Sequence, residues 1–332
     1  MKLVSLAFTD TGYALAQSVV SALGGQAERC NRPHSLREWT ERYFSSADAL
    51  LFVGAVGIAV RAIAPYVTSK TSDPAVLVMD EAGRFVIPIL SGHLGGANDL
   101  AQRISTLCHA VPVLTTATDV HGVFAVDEWA KRQHCAVMHP ERIKTVSSAV
   151  LRGETIAVYS PWDIRGPLPE HVCRTDAADS CAVQLTVRQT ATEALVLVPR
   201  ILTLGIGCRK GTARETIEAA WDRLQQETGI LEAAVAGTAT IDIKQHEAGL
   251  LEFCAAHNWE LQTVAAQELA QVEGEFTPSA FVRQITGVDN VCERSAVYGS
   301  GGTLIQKKFA YNGVTLALAC APYDPDWRWR DE

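Results

Sequence analysis

The chain has 332 residues, of which 48% are apolar and 20% charged, so it can bury two or three sizeable cores and does not read as a disordered polymer. Its 29 basic and 37 acidic residues leave a formal charge of −8, which creates no basic field for a phosphate backbone and excludes nucleic acid as a partner. Nine scattered cysteines, without a Cys-x-x-Cys, point to free thiols in a reducing cytoplasm.

The opening apolar run, broken by Thr9 and Asp10, is too short for a signal-peptide core and reads as a first strand. "ALLFV" (49–53), "AVLVM" (75–79) and "VPVLTT" (111–116) continue a series of short apolar strands bounded by turn residues. The apolar stretch 49–60 ends at Arg61, short of the roughly 20 residues that cross a bilayer, so no membrane partner is expected. Helical patterns separate the strands. "YALAQSVVSAL" stops at Gly24-Gly25, "SLREWTERYF" opens on a candidate N-cap serine, and "GVFAVDEWAKRQ" follows the strand at 111–116. Leu100, Ile104 and Leu107 share one helical face. This alternation predicts an α/β domain with a largely parallel sheet over 1–135.

Prolines at 140, 161, 167 and 169 break up residues 136–198, which read as a small α/β middle domain or structured linker. A C-terminal α/β domain over 199–322 starts with "ILTLGIG". Its first helix carries a predicted capping box, Thr212 with Glu215, and buries Ile217, Trp221 and Leu224. "TATIDIK", "EAGLLEFCAAH", "ELQTV" and "PSAFVRQIT", the last with Pro278 at a helix start, continue the alternation. Asn312-Gly313 between two strand-like runs predicts a terminal hairpin, before a tail at 323–332.

Four stretches carry candidate chemistry. In "VIPILSGHLGGANDL" (86–100), Gly92, Gly95 and Gly96 allow backbone N–H groups to converge on an anion such as a carboxylate. His93 in that loop is a candidate general acid or base, since an unperturbed imidazole titrates near neutral pH, with Asn98 as a hydrogen-bonding amide. The same residues also suit a plain strand-to-helix turn, with Asn98 as a cap and Asp99 complementing the helix dipole. In 54–83, Arg61 among apolar residues requires an anionic partner, from a ligand or from within the protein. Lys70 and Asp73 follow in a loop, while Asp80 and Glu81 end a strand where open α/β sheets bind ligands.

"LGIGCRKGTARE" (204–215) has the spacing G-x-G-x-x-x-G, lacks the acidic ribose partner of a dinucleotide site, and is not a P-loop because Lys210 precedes the last glycine. It reads instead as a turn presenting Gly207, Arg209 and Lys210 to an anion, with Cys208 either nucleophilic or a buried filler. In 291–308, Glu293 and a Gly-Ser-Gly-Gly loop form either another wall of a site or a solvated helix. His134, Cys135 and His139 lack a matching second pair of ligands, so no metal site is expected there.

The strings "AVGIAVR", "KTSDPAV", "SGHLGGAN" and "VPVLTTATD", with "LGIGCRKGT" and "TIDIKQHEAGL" further on, closely resemble the cobalt-precorrin-5A hydrolase (CbiG) family of anaerobic cobalamin biosynthesis. The order of an N domain, a variable middle and a C domain agrees over nearly the whole chain. Two features depart from the family: "CERSA" (292–296) replaces its usual Val-Ser/Ala-Glu-Pro-Ala around Glu293, and the tail "PYDPDWRWRDE" has no counterpart. The resemblance implies opening of the δ-lactone of a ring-contracted cobalt tetrapyrrole, with loss of C20 and its methyl as acetaldehyde, to give cobalt-precorrin-5B. It also implies no cofactor, because cobalt arrives within the substrate, and it leaves room for a homodimer or transient contact with other corrin-pathway enzymes. On this expectation His93, with Asp99 or Glu81, moves protons. Arg61, Lys70, Gly92, Gly95, Gly96, Asn98, Gly207, Arg209, Lys210 and Glu293 bind the carboxylate-rich ring.

Overall fold

The computed structural model describes residues 1–31, 35–69 and 72–330. The chain divides into two compact units, one of Met1–Glu128 with Val150–Arg152, the other of Trp129–Ala149 with Gly153–Glu332.

The first unit runs β1 (Leu3–Ala7), α1 (Asp10–Leu23), β2 (Gln26–Arg29), α2 (Leu36–Phe44), β3 (Ala49–Val53), α3 (Val56–Ile63), β4 (Ala75–Met79), β5 (Phe85–Leu90), α4 (Ala97–Cys108), β6 (Val111–Pro112) and α5 (Ala117–His121); α6 (Val126–Arg132) begins at its end. Its six strands lie in the order β2-β1-β3-β4-β5-β6. β1, β3 and β4 are buried at every position because helices cover both faces. Leu3, Leu51 and Leu77 enter one core, and Val4, Leu50 and Val76 the other. The expected N-cap serine of α2, Ser35, forms a reciprocal capping box with Glu38, and Thr9 caps α1 through the Gly12 N–H.

The sheet departs from the expected parallel pattern at β5, which runs antiparallel to β4. The short Asp80–Arg84 turn forces this reversal. Asp80 accepts from the N–H groups of Arg84 (2.6 Å) and Phe85 (2.7 Å), which closes the turn. The strand expected over 111–116 shrinks to Val111–Pro112, at the sheet edge. Leu100 and Ile104 are buried in α4, whereas Leu107, one turn on, remains exposed.

The second unit continues with β7 (Cys135–Met138), α7 (Ile143–Leu151), β8 (Ile156–Tyr159), β9 (Val172–Arg174), β10 (Val183–Leu185) and β11 (Leu195–Pro199). These strands form a sheet in the order β7-β11-β10-β8-β9. Then follow β12 (Leu202–Cys208), α8 (Arg214–Thr228), β13 (Val235–Ile241), α9 (Ala248–Ala256), β14 (Leu261–Val264), α10 (Ala266–Gln271), α11 (Ala280–Thr286), α12 (Cys292–Ser300), β15 (Thr303–Tyr311) and β16 (Val314–Cys320). The last sheet is ordered β14-β13-β12-β16-β15. Val196 and Val198 of β11 join Leu204 and Trp221 in one core, so the middle and C-terminal sheets share apolar packing. The whole is mixed α/β with three sheets: the first two are mostly parallel, and the last pairs β14-β13-β12 in parallel and β12-β16-β15 antiparallel.

Asn312 and Gly313 both have positive φ (47° and 82°), the signature of a two-residue type I′ turn, and they join antiparallel β15 and β16. The predicted capping box on α8 does not form. The N-cap is Ala213, and the Thr212 hydroxyl donates back to the Arg209 carbonyl instead. Pro278 lies outside α11, whose N-cap is Ser279. Among the described residues no disulfide joins the cysteines, and no helix is long and apolar enough to cross a membrane.

Candidate active site and anion-binding cavity

The antiparallel course of β5 determines where His93 stands. Leu90 pairs with Val76 at the amino end of β4, so the loop 91–96 lies at that edge of the sheet, away from the carboxyl ends where ligands were expected. The Ser91 hydroxyl donates to the Asp73 carbonyl (3.0 Å), tying this loop to the segment before β4. Asp73 accepts from the Thr68 N–H (2.8 Å), the Thr68 hydroxyl (2.7 Å) and the Ser69 N–H (3.0 Å). Burial pushes the Asp73 carboxyl up, but these bonds outweigh it and hold the group below its usual range.

Within the loop, Gly96 takes a left-handed conformation (φ 83°) that other residues adopt only under strain. A Cβ on Gly92 would press on the Asn98 amide, and one on Gly95 would collide with Ser91. The glycines therefore let the loop close on itself. The N–H groups of Gly96, Ala97 and Asn98 donate to the carbonyls of His93, Ser91 and Gly92 at 2.9, 3.1 and 2.9 Å. Of the three glycines expected to cradle an anion, Gly96 therefore spends its N–H inside the loop, as do Ala97 and Asn98. Asn98 is buried and donates to the Thr116 hydroxyl (3.3 Å), and so braces the start of α4.

The His93 ring, with a side chain 9% exposed, sits between two carboxylates from the first turn of α6. Nδ1 is 3.1 Å from Asp127 Oδ2, and Nε2 is 3.6 Å from Glu128 Oε1, too far for a direct hydrogen bond. An imidazole oriented by a carboxylate on one nitrogen can move protons at the other. Composition hid this pairing. "VDEW" reads as acids favouring a helix N-terminus, and 34 residues separate His93 from Asp127.

Of the two acids nominated as partners, Glu81 lies elsewhere. Glu81 is exposed in the turn beyond the carboxyl end of β4, where it accepts from the Thr9 hydroxyl. The length of a strand, roughly 15 Å or more, separates it from the amino-end loop. Asp99 is exposed in the first turn of α4. Arg61 is exposed in the last turn of α3, its guanidinium 3.4 Å from the Gly57 carbonyl, so solvation answers the cost that burial would have imposed. Lys70 lies outside the described residues.

In the second unit a cavity of about 630 Å³ opens between β12, the hairpin tip and α11. Gly207, Arg209 and Lys210 all line it. Arg209 and Lys210 are exposed, and the Arg209 side chain passes over Gly313. Lys308 adds a third cation, while Phe281 and Ile285, 68% and 61% exposed, give an apolar wall. Gly207 has a packing role as well, since a Cβ there would strike the Thr315 hydroxyl. Cys208 also faces this cavity, but burial, only partly offset by Lys244, pushes its thiol pKa up. An activated thiolate is therefore not its state.

Glu293 differs most from expectation. It is fully buried, neither a cavity wall nor a solvated helix residue. One oxygen accepts from the Thr277 N–H (2.6 Å), and the other from the Thr277 hydroxyl (2.8 Å) and the Lys308 N–H (2.6 Å). It clamps the 277 loop and β15 to α12.

Three family profiles match the chain in order: cobalamin synthesis G N-terminal over 38–119, the cobalamin biosynthesis central region over 124–199, and cobalamin synthesis G C-terminus over 202–319. A Priestia megaterium protein named cobalt-precorrin-5A hydrolase is 33% identical over 311 residues, covering 87% of this chain and 83% of that protein. A Salmonella typhimurium protein of the same name is 32% identical over 292 residues, covering 84% and 83%. A solved structure of a cobalamin biosynthesis protein G homolog from Sulfolobus solfataricus spans 97% of both chains at 22% identity, with a TM-score of 0.42.

Proposed function

The chain belongs to the cobalt-precorrin-5A hydrolase (CbiG) family, and from that membership we propose that it hydrolyses cobalt-precorrin-5A in cobalamin biosynthesis. The observation that carries this reading is the 33% identity to a protein of that name over 87% of the chain. In the reaction, water adds to the δ-lactone carbonyl and the ring opens to a carboxylic acid and a C20 alcohol. Loss of the alcohol proton then breaks the bond from C20 to the macrocycle. Acetaldehyde departs, and the macrocycle keeps the electron pair and takes up a proton. Cobalt enters and leaves as part of the substrate, so the chain supplies no metal of its own.

His93 is the proposed proton-transfer group. Asp127, at 3.1 Å from Nδ1, orients the ring so that Nε2 can accept a proton from water and later return one. Glu128 contributes negative charge beside Nε2 as that proton arrives. The cations Arg209, Lys210 and Lys308, facing the Phe281 and Ile285 wall, suit a flat apolar ring edged with carboxylates.

The test is acetaldehyde release from cobalt-precorrin-5A by the purified chain, with His93→Ala expected to lower turnover by about 10²–10⁴-fold. Corrinoid binding with no acetaldehyde from the wild type would reject the hydrolase reading. Wild-type turnover by the variant would remove His93 from the chemistry.

A further inference from the structure

The stretch "TIDIKQHEAGL" (240–250) contains an ion pair that none of the roles above uses. Glu247, the N-cap residue of α9, accepts from the Gly211 N–H through Oε2 (2.8 Å) and from Lys244 Nζ through Oε1 (2.9 Å). Both side chains are largely shielded, at 13% exposure each. Lys244 lines the same cavity as Arg209 and Lys210.

The bond to Gly211 fixes the last residue of the turn that carries those two cations. Gly249 lets the grip close: a Cβ there would run into the Thr212 carbonyl and the Arg214 nitrogen, so α9 starts directly against the turn. The Thr212 hydroxyl holds the other side through the Arg209 carbonyl (2.9 Å).

We propose that Glu247 is a positioning residue for a carboxylate-binding turn: it anchors Gly211 and pins Lys244, so that Arg209 and Lys210 meet ligand carboxylates in a preset geometry. This rests on the reading of the cavity as the site of a carboxylate-rich ring. A preset turn loses less freedom on binding, so Glu247 acts on affinity and not on the chemical step. The Gly211 N–H and Lys244 together also hold the Glu247 carboxyl below its usual range, so it is ionised at neutral pH.

The experiment compares Glu247→Ala and Glu247→Gln with the wild type. Its readouts are steady-state kinetics on cobalt-precorrin-5A, the Kd of a lactone-free cobalt corrinoid with free carboxylates, and NMR exchange of the Gly211 amide. Loss of a charge-assisted bond predicts that Glu247→Ala raises KM and Kd about ten-fold, with kcat within about two-fold. Gly211 exchange should quicken in the alanine variant. Glutamine, which still offers an acceptor to Gly211, should restore most of both effects. Unchanged Kd and exchange in Glu247→Ala would overturn the proposal, as would a fall in kcat at constant KM or no binding of the corrinoid by the wild type. Binding and exchange are read without turnover. A wild type that binds but releases no acetaldehyde would therefore end the hydrolase reading while the alanine and glutamine variants still decide the role of Glu247.

Discussion

Single side chains divide into those that face a reaction and those that hold the fold, and sequence position does not separate the two groups. His93 was legible because an imidazole in a glycine loop is conspicuous. Its partner was not, because Asp127 arrives from a different element 34 residues on. If Asp127 orients the ring, Asp127→Asn should cut turnover by about 10²-fold or more while leaving Tm within a few degrees, checked by acetaldehyde release beside thermal melting. Glu293 shows the converse. It has the chemistry of a site residue, yet its oxygens are consumed by Thr277 and Lys308 backbone and hydroxyl donors. Truncation would strand buried donors, so Glu293→Ala should cost about 3 kcal/mol or more of stability, measured by urea unfolding.

Among elements, continuous apolar runs bounded by turn residues found the buried strands and the 3.6-residue period found the helices, because burial is written into local sequence. The Asn312-Gly313 hairpin and the Ser35 N-cap of α2 were legible for the same reason, each resting on near neighbours along the chain. The direction of β5 was not. "FVIPIL" suits a strand of either direction, and only the Asp80 staple across the turn sets it antiparallel.

A second junction between elements is pH-sensitive. His257, at the end of α9, stacks on Trp259 (4.4 Å) and bonds Glu218 of α8 and Glu232, both at 2.8 Å. Burial lowers its pKa, but the two carboxylates outweigh burial and raise it above 6.5. A raised folded-state pKa adds stability that is fully present below the unfolded value and is lost as pH rises through the folded one. Thermal melting from pH 5 to pH 9 should show that loss above about pH 6.5 in the wild type, and His257→Ala should flatten it.

For the molecule as a whole, the tail without a family counterpart is part of the second unit's packing. Trp327, 2% exposed, stacks on Trp129 at 5.2 Å, and Trp129 Nε1 donates to the Asp326 carbonyl (2.7 Å). Tyr323 donates to the Gln133 carbonyl (3.1 Å) and meets Trp162 edge-on. Removing residues 323–332 should therefore lower the Tm of the second unit, and Trp327→Ala alone should cost about 3–5 kcal/mol, read by calorimetry and denaturant unfolding. A tail deletion that melts like the wild type would show these contacts to be dispensable.

By itself the sequence determined the α/β class, most of the buried strands, the terminal hairpin and the family. Each of these is encoded in residues close along the chain or in strings long enough to be specific. Tertiary structure alone decided the reversal of β5, the pairing of His93 with Asp127 and Glu128, the burial of Glu293 and the hold of Glu247 on Gly211. Each of these depends on residues that the chain brings together only after its strands have chosen neighbours, and a one-dimensional pattern does not record which neighbours they choose.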